Sequence, residues 1–128
     1  EQCRFDGDIN VIAYGDNLKR IEALMAENEL KANLYNARFI KPFDEVALKK
    51  IVDSNLKTFV IEDSIISGGL GSSLLEWMSK NHVSSDQFEL LGLPDEFIQQ
   101  GKWHQLYEHY HLDNSSLLAR FQKAIAQR

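Results

Sequence analysis

The sequence is poor in the residues that mark several large classes of protein. It has one cysteine, two prolines and no long uninterrupted apolar run among its 128 residues. A single cysteine excludes an intramolecular disulfide framework and favours a reducing compartment, so we expect a cytoplasmic protein. A membrane-spanning helix needs about 20 consecutive apolar residues, and we therefore expect no membrane association.

Positive charge is also scarce. Fourteen Lys and Arg residues stand against 19 Asp and Glu residues, which gives a net charge of −5. This balance argues against a nucleic-acid partner, because binding to a phosphate backbone needs clustered basic residues. The chain opens on Glu1 with no leader-like pattern, and we expect it to be processed or cut from a longer protein. Its length predicts one domain over residues 1–128.

Apolar runs alternate with helical stripes along the chain. Predicted strands cover residues 9–14, 33–40, 58–62 and 87–91. Continuous apolar strands separated by helices predict a parallel sheet covered on both faces. Asp6-Gly7 is a favoured hairpin turn, so residues 2–5 are expected to pair antiparallel at one edge. The predicted fold is a three-layer α/β/α sandwich with a mixed five-stranded sheet, and the residues expected to be buried are Val11, Ile12, Val60, Ile61 and Leu90.

A glycine-rich loop at residues 67–73 joins a predicted strand to a helix. Such loops can hold phosphate, because backbone amides and the helix dipole converge there. A dinucleotide fingerprint would need glycine where Leu74 stands, and the Lys-Ser or Lys-Thr pair of a P-loop is missing. The favoured interpretation is a tight turn that lets the helix approach the sheet, with anion binding left open.

Two carboxylates, Glu62 and Asp63, lie at the predicted end of a central strand. Ligands of open α/β sheets bind at such ends, so the pair could serve acid–base chemistry or hold magnesium. No His, Lys or Arg stands beside them in sequence to complete a catalytic set. The favoured interpretation is a hydrogen-bonded strand end or an interface carboxylate.

Histidines cluster in the tail without the spacing of a metal site. His104, His109 and His111 are separated by intervals of five and two, whereas two ligands on one helix face are three or four residues apart. We predict no catalytic, cofactor-binding or metal-binding residue in this chain.

A charged group around a proline turn, formed by Arg38, Lys41 and Asp44, interrupts an otherwise apolar segment. Such a group suits a docking surface. The predicted interface residues are Arg38, Lys41, Asp44, Glu62, Asp63, Gly68, Gly69 and Gly71.

Three motifs, in order, resemble the transketolase C-terminal domain family. Residues 36–44 (Asn-Ala-Arg-Phe-Ile-Lys-Pro-Phe-Asp) resemble its Asp-Ala-Arg-Phe-x-Lys-Pro-Leu-Asp signature. Residues 60–63 (Val-Ile-Glu-Asp) and 68–72 (Gly-Gly-Leu-Gly-Ser) resemble its Val-x-Glu-Glu and Gly-Gly-Phe-Gly-Ser segments. Residues 92–101 are similar to Gly-x-Pro-Asp-Arg-Phe-Ile-Glu-His-Gly, which is typical of the 1-deoxy-D-xylulose-5-phosphate synthase branch. Glu96 and Gln99-Gln100 depart from that last motif.

The resemblance implies the C-terminal domain of a thiamine diphosphate enzyme. Such an enzyme condenses pyruvate with glyceraldehyde 3-phosphate for isoprenoid and thiamine synthesis, and its cofactor and magnesium are held by the preceding domains. The C-terminal domain would serve dimer packing, would bind no cofactor itself and would be inactive alone. Its partners would be the remaining domains of the parent enzyme, in a homodimer.

Two alternatives remain open at this stage. The chain could be the partner-docking domain of another thiamine diphosphate enzyme, of the transketolase or α-ketoacid dehydrogenase E1 beta type. It could also be a free-standing binding module whose glycine-rich loop takes an anion.

Overall fold

The computed structural model describes residues 7–13, 16–36, 45–65, 70–93 and 113–127. The strands are β1 (Ile9–Ala13), β2 (Ala32–Asn36), β3 (Thr58–Ile65) and β4 (Phe88–Leu93). The helices are α1 (Asp16–Asn28), α2 (Glu45–Asp53), α3 (Leu70–Lys80) and α4 (Asn114–Ala126).

The four strands form one parallel sheet in the order β2-β1-β3-β4. The predicted α/β class with a helix-covered parallel sheet is confirmed. Residues 2–5, expected to add an antiparallel strand, lie outside the described residues. The fifth strand and its direction therefore stay predictions.

Each face of the sheet carries its own apolar cluster, because a strand buried on both sides alternates its side chains between two cores. One cluster packs β1 side chains such as Val11 against α1 and α4. In it, the rings of Phe59 and Phe121 meet edge to face with centroids 5.1 Å apart. The other cluster packs Ile12 and Val60 against α2 and α3. The result is a three-layer sandwich.

The predicted core is confirmed at four of its five positions. Val11, Ile12, Val60 and Ile61 are at most 1% exposed. Leu90 was predicted to be buried, and that prediction is wrong: it is only partly buried. Its strand, β4, is outermost in the described sheet, so a side chain there has neighbouring strands on one side only.

Strands β3 and β4 continue beyond their predicted carboxyl ends. Helix α1 ends at Asn28, shortly after the last residue of the helical spacing formed by Leu18, Ile21, Leu24 and Met25. Strand β3, expected to end at Glu62, continues to Ile65. The polar residues after Ile61 resemble a loop in sequence, yet their backbone still pairs with β4 beyond a register shift.

A ladder of buried amides crosses the amino edge of the sheet. Asn33 Nδ2 donates to Asn10 Oδ1 at 3.0 Å. Asn10 Nδ2 in turn donates to Ser54 Oγ at 3.0 Å and to Thr58 Oγ1 at 3.3 Å. The chain of hydrogen bonds links β2, β1 and β3, and it satisfies polar groups that burial would otherwise leave costly.

Gly7 closes this ladder at its β2 end. Its amide donates to Asn33 Oδ1 at 3.0 Å. A Cβ at this position would lie 2.5 Å from the backbone carbon of Ala32 and from the backbone nitrogen of Asn33. Only glycine permits this close approach of the two backbones.

Left-handed residues that are not glycine follow α1, α2 and α3, and the hydrogen bonds after α1 and α3 show why. Glu29 follows α1 with φ 49°, and His82 follows α3 with φ 55°. The next amide reaches back in each case, from Leu30 to Met25 O at 3.0 Å and from Val83 to Met78 O at 2.8 Å. This pattern is the Schellman motif, in which glycine is the usual left-handed residue.

Candidate functional site

The carboxyl edge of the sheet contains a topological switch point. The chain leaves β1 through α1, which packs on one face, and leaves β3 through α3, which packs on the other. Because β1 and β3 are neighbours, the two connections diverge from adjacent strand ends. In open α/β sheets such a divergence forms the crevice in which ligands bind.

An irregularity in β3 adjoins this crevice. Ile61 pairs with Leu91 and Ile65 pairs with Leu93, with a shift of register between them. More residues of β3 than of β4 span that interval, as in a β-bulge, which bends a strand and changes the direction of its side chains. The backbone positions of Glu62 and Asp63 fall inside the shifted interval.

Arg20 ties the first turns of α1 and α4 together at this edge. Its guanidinium donates through Nη2 to Asn17 Oδ1 at 2.8 Å and through Nη1 to Asn114 Oδ1 at 3.1 Å. Asn17 is 3% exposed, and its Nδ2 has no hydrogen-bond partner among the residues that the structure describes. These groups anchor the last helix to the first.

The start of α4 is capped by its own side chains. Asp113 accepts from the Ser116 amide at 3.4 Å and from Ser116 Oγ at 2.7 Å. A carboxylate at this position satisfies a free amide and complements the positive end of the helix dipole. The cap makes Asp113 part of the scaffold.

Most of the predicted interface residues cannot be located in the structure. Arg38, Lys41, Asp44, Gly68 and Gly69 lie outside the described residues. Gly71 belongs to the first turn of α3, at the carboxyl edge. Together with the β3 positions of Glu62 and Asp63, it places three of the eight predicted residues at one end of the sheet. Their role as an interface stays a prediction.

Tyr35 is a buried phenol on β2. Burial raises the pKa of the Tyr35 phenol above its usual value, which keeps this group protonated at neutral pH. Within the described ranges, no group of three or more His, Cys, Asp or Glu residues could hold a metal ion. The histidines of residues 104–111 lie outside those ranges.

None of the described helices has the length and apolarity of a membrane span.

Sequence reasoning missed the Arg20 contact and the buried amide ladder. Arg20 and Asn114 are 94 residues apart, and a separation of that size leaves no periodic signal in a single sequence. Asn10 and Asn33 each interrupt an apolar strand, and each is the second residue of its strand. These two interruptions were a signal in the sequence that the strands pair through buried amides.

A four-stranded parallel sheet with helices on both faces and a switch point between β1 and β3 defines a doubly wound α/β domain. The sequence model of the family described as "Transketolase, C-terminal domain" matches residues 2–117. The chain belongs to that family.

Eight similar curated proteins are all named 1-deoxy-D-xylulose-5-phosphate synthase. The chain is 32% identical over 125 residues to a 1-deoxy-D-xylulose-5-phosphate synthase of Listeria innocua, covering 94% of this chain and 20% of that protein. It is 36% identical over 124 residues to the synthase of Clostridium kluyveri, covering 93% and 19% respectively. The chain therefore spans about a fifth of the length of these relatives.

Solved structures support the fold. A split-gene transketolase, described as an inactive beta4 tetramer, superposes with a TM-score of 0.70 at 20% identity, covering 98% of this chain and 42% of that one. A transketolase from Pichia stipitis gives a TM-score of 0.57 at 18% identity, covering 96% and 17%. At these identities the likeness concerns architecture alone.

Proposed function

We propose that this chain is the C-terminal domain, residues 1–128, of a 1-deoxy-D-xylulose-5-phosphate synthase-like enzyme. The observation that carries the proposal is a match to curated synthases at 28–36% identity over 91–100% of the chain. The matched segment makes up 19–21% of those proteins. A domain that makes up about a fifth of a protein is consistent with a supporting part of a larger enzyme.

The parent enzyme would condense pyruvate with glyceraldehyde 3-phosphate in isoprenoid precursor and thiamine biosynthesis. Thiamine diphosphate and magnesium would bind to the parts of the parent enzyme that precede this domain. The parent would be a cytoplasmic homodimer. Within it, this domain would contribute packing and architecture, while the catalytic groups would come from the remaining domains.

The described polar groups near the carboxyl edge support a structural role. Arg20 joins two helices through Asn17 and Asn114, and Asp113 caps α4. Each of these groups is engaged in holding elements together. Side chains used in this way stabilise a domain without contributing a nucleophile or a general base.

The carboxyl edge is the surface we assign to contacts with the rest of the enzyme. The proposed interface is the set of Arg38, Lys41, Asp44, Glu62, Asp63, Gly68, Gly69 and Gly71. Two features support this edge: the register shift in β3 and the first turn of α3, both of which lie there. Removing Arg38 and Lys41 together should weaken subunit association of the parent enzyme, whereas removing the exposed Lys49 and Lys80 should not.

A domain exchange tests the proposal. The matching C-terminal segment of the Clostridium kluyveri synthase is replaced by this chain, and formation of 1-deoxy-D-xylulose 5-phosphate is measured with thiamine diphosphate and magnesium. We expect an active dimer. The same chimera carrying Val60→Asp is the control, since a charge in the core should unfold the domain and abolish activity.

Two results would contradict the proposal. One is a chimera that is folded and of native size yet inactive. The other is micromolar binding of thiamine diphosphate to the 128-residue chain alone, measured by calorimetry. An immunoblot of the source cells separates the alternatives further, because a single band near 14.7 kDa would indicate a free-standing module.

A further inference from the structure

A polar cavity opens at the amino edge of the sheet, at the opposite end from the switch point. Its volume is about 480 Å³, within the range of small-molecule sites. It lies between the amino ends of β3 and β4 and the last two turns of α4. The charged residues that line it are Asp8, Lys57, Glu89, Arg120 and Lys123.

Positive charge exceeds negative charge in this cavity, although the whole chain carries −5. Lys57 Nζ lies 3.2 Å from Glu89 Oε1. Arg120 Nη1 donates to the other carboxylate oxygen, Glu89 Oε2. A single carboxylate thus lies between two cations, and Lys123 adds a third positive charge one turn further along α4.

Phe59 is one of the apolar residues that line the cavity. Phe59, 2% exposed, contributes its ring, which is held edge to face by Phe121. Lys57 Nζ lies 5.6 Å from the centroid of the Phe59 ring, a cation–π distance. Lys57 is therefore positioned by two contacts before any ligand arrives, which lowers the entropy lost on binding.

We propose that this cavity binds the oxyanion of a small organic metabolite, a phosphate ester or a carboxylate. Lys57, Arg120 and Lys123 would contact the oxyanion, and the Glu89 carboxylate occupies part of its position in the free protein. Glu89 is then an internal competitor, since it satisfies the same cations that the ligand needs. The proposal is independent of the enzyme to which the domain belongs.

The helix dipole explains only part of the arrangement. Lys123 lies in the last turn of α4, where a cation offsets the helix dipole. That effect accounts for Lys123 alone. The dipole does not account for the other two cations. Lys57 precedes β3 and Arg120 lies one turn earlier on α4, yet both contact the carboxylate of Glu89.

The test is a titration of the 128-residue chain followed by amide NMR. Inorganic phosphate and malonate are the two probes, each added against sodium chloride at matched ionic strength. We expect the amides of Lys57, Glu89 and Lys123 to shift together along one saturating curve. A stronger response to phosphate than to malonate would identify a phosphate ester as the ligand class, and the reverse order a carboxylate.

Three variants distinguish a site from general charge attraction. Lys123→Gln should weaken phosphate binding about fivefold. Lys49→Gln removes the same charge from an exposed position of α2 that does not line the cavity, and should leave the affinity unchanged. Glu89→Gln should strengthen binding about fivefold, because it frees two cations while keeping a polar side chain of the same size.

Several outcomes would overturn the proposal. These are no saturable shift with either probe, equal losses for Lys123→Gln and Lys49→Gln, or no gain for Glu89→Gln in a protein whose melt shows it folded. If Lys123 only offsets the helix dipole, Lys123→Gln will lower the melting temperature and leave the phosphate curve unchanged. Because Lys123 is exposed, this variant keeps the test valid even if Glu89→Gln unfolds.

Discussion

Asn10 and Asn33 are directly paired residues of neighbouring parallel strands, and their side-chain amides are hydrogen-bonded to each other. The distance from Asn33 Nδ2 to Asn10 Oδ1 is 3.0 Å, and both residues are at most 4% exposed. A slip of β2 by one residue would move Asn33 to the opposite face of the sheet. The pair therefore specifies the register of β1 against β2.

Removing one member of this pair should be costly. Asn33→Ala leaves the Gly7 amide and Asn10 Oδ1 without partners, and we expect a loss of about 2–4 kcal/mol in the free energy of unfolding. Urea denaturation measures it. Asn28→Ala, at an exposed asparagine of α1, is the control and should cost less than 1 kcal/mol, in line with most surface changes.

The double variant isolates the interaction itself. Asn10→Ala with Asn33→Ala should lose less than the sum of the single losses, with a coupling of about 1 kcal/mol or more. Strict additivity would mean that the two amides do not stabilise each other.

A charge at the centre of the sheet should unfold the domain. Val60 is 0% exposed, and Val60→Asp would bury an unpaired carboxylate at a cost of several kcal/mol, about 3 or more. Val46→Asp is the matched control, because Val46 is 80% exposed in the first turn of α2, where a negative charge is favoured. A thermal melt unchanged by Val60→Asp would contradict the assignment of β3 as a buried strand.

Replacing the left-handed residue after α1 with glycine should stabilise the domain. Glu29 has φ 49°, and glycine adopts that conformation without the penalty of about 1–2 kcal/mol that other residues meet. Glu29→Gly should raise the free energy of unfolding by about 0.5–1 kcal/mol. Glu27→Gly, the same exchange two residues earlier inside the helix, should lower it by about 1 kcal/mol. Equal effects of the two changes would exclude this explanation.

Alkaline pH should weaken the fold through Tyr35. Burial raises the pKa of this phenol in the folded state above the unfolded value of 10.0. Between those two values the folded protein binds more protons than the unfolded chain, so stability falls as the pH rises. The stabilisation that comes from the raised pKa of Tyr35 is fully present at pH values below the unfolded pKa. Urea midpoints from pH 8.5 to 11 should fall more steeply for the wild type than for Tyr35→Phe, and parallel curves would show that Tyr35 does not carry the effect.

The parts of the fold that depend on local pattern could be predicted from sequence. Helix α1 follows from the apolar spacing of Leu18, Ile21 and Met25, and the burial of Val60 follows from its continuous apolar strand. Leu90 has the same kind of sequence around it, yet its exposure depends on which strand lies at the edge. Strand order is a property of the whole chain, and no window of a few residues contains it.

The candidate site was less predictable, for a similar reason. Glu62 and Asp63 could be assigned to the carboxyl-terminal half of β3 from the strand pattern, although the strand continues past its expected end at Glu62 to Ile65. The cavity at the opposite edge could not, because Lys57, Glu89 and Arg120 come together only after two strands and a distant helix are in place. In sequence they are ordinary surface charges.

The central position of β1 governs the order in which this domain can fold. Its neighbours are strands that arrive later in the chain, since Asn10 bonds to partners 23 and 48 residues away. Parallel strands cannot form a local hairpin, so long loops must close before the first pair of strands is stable. We therefore expect slow folding for a chain of this size. During synthesis, β1 would emerge before both of the strands that pair with it, and Phe59 would emerge before Phe121, the α4 residue that packs against its ring.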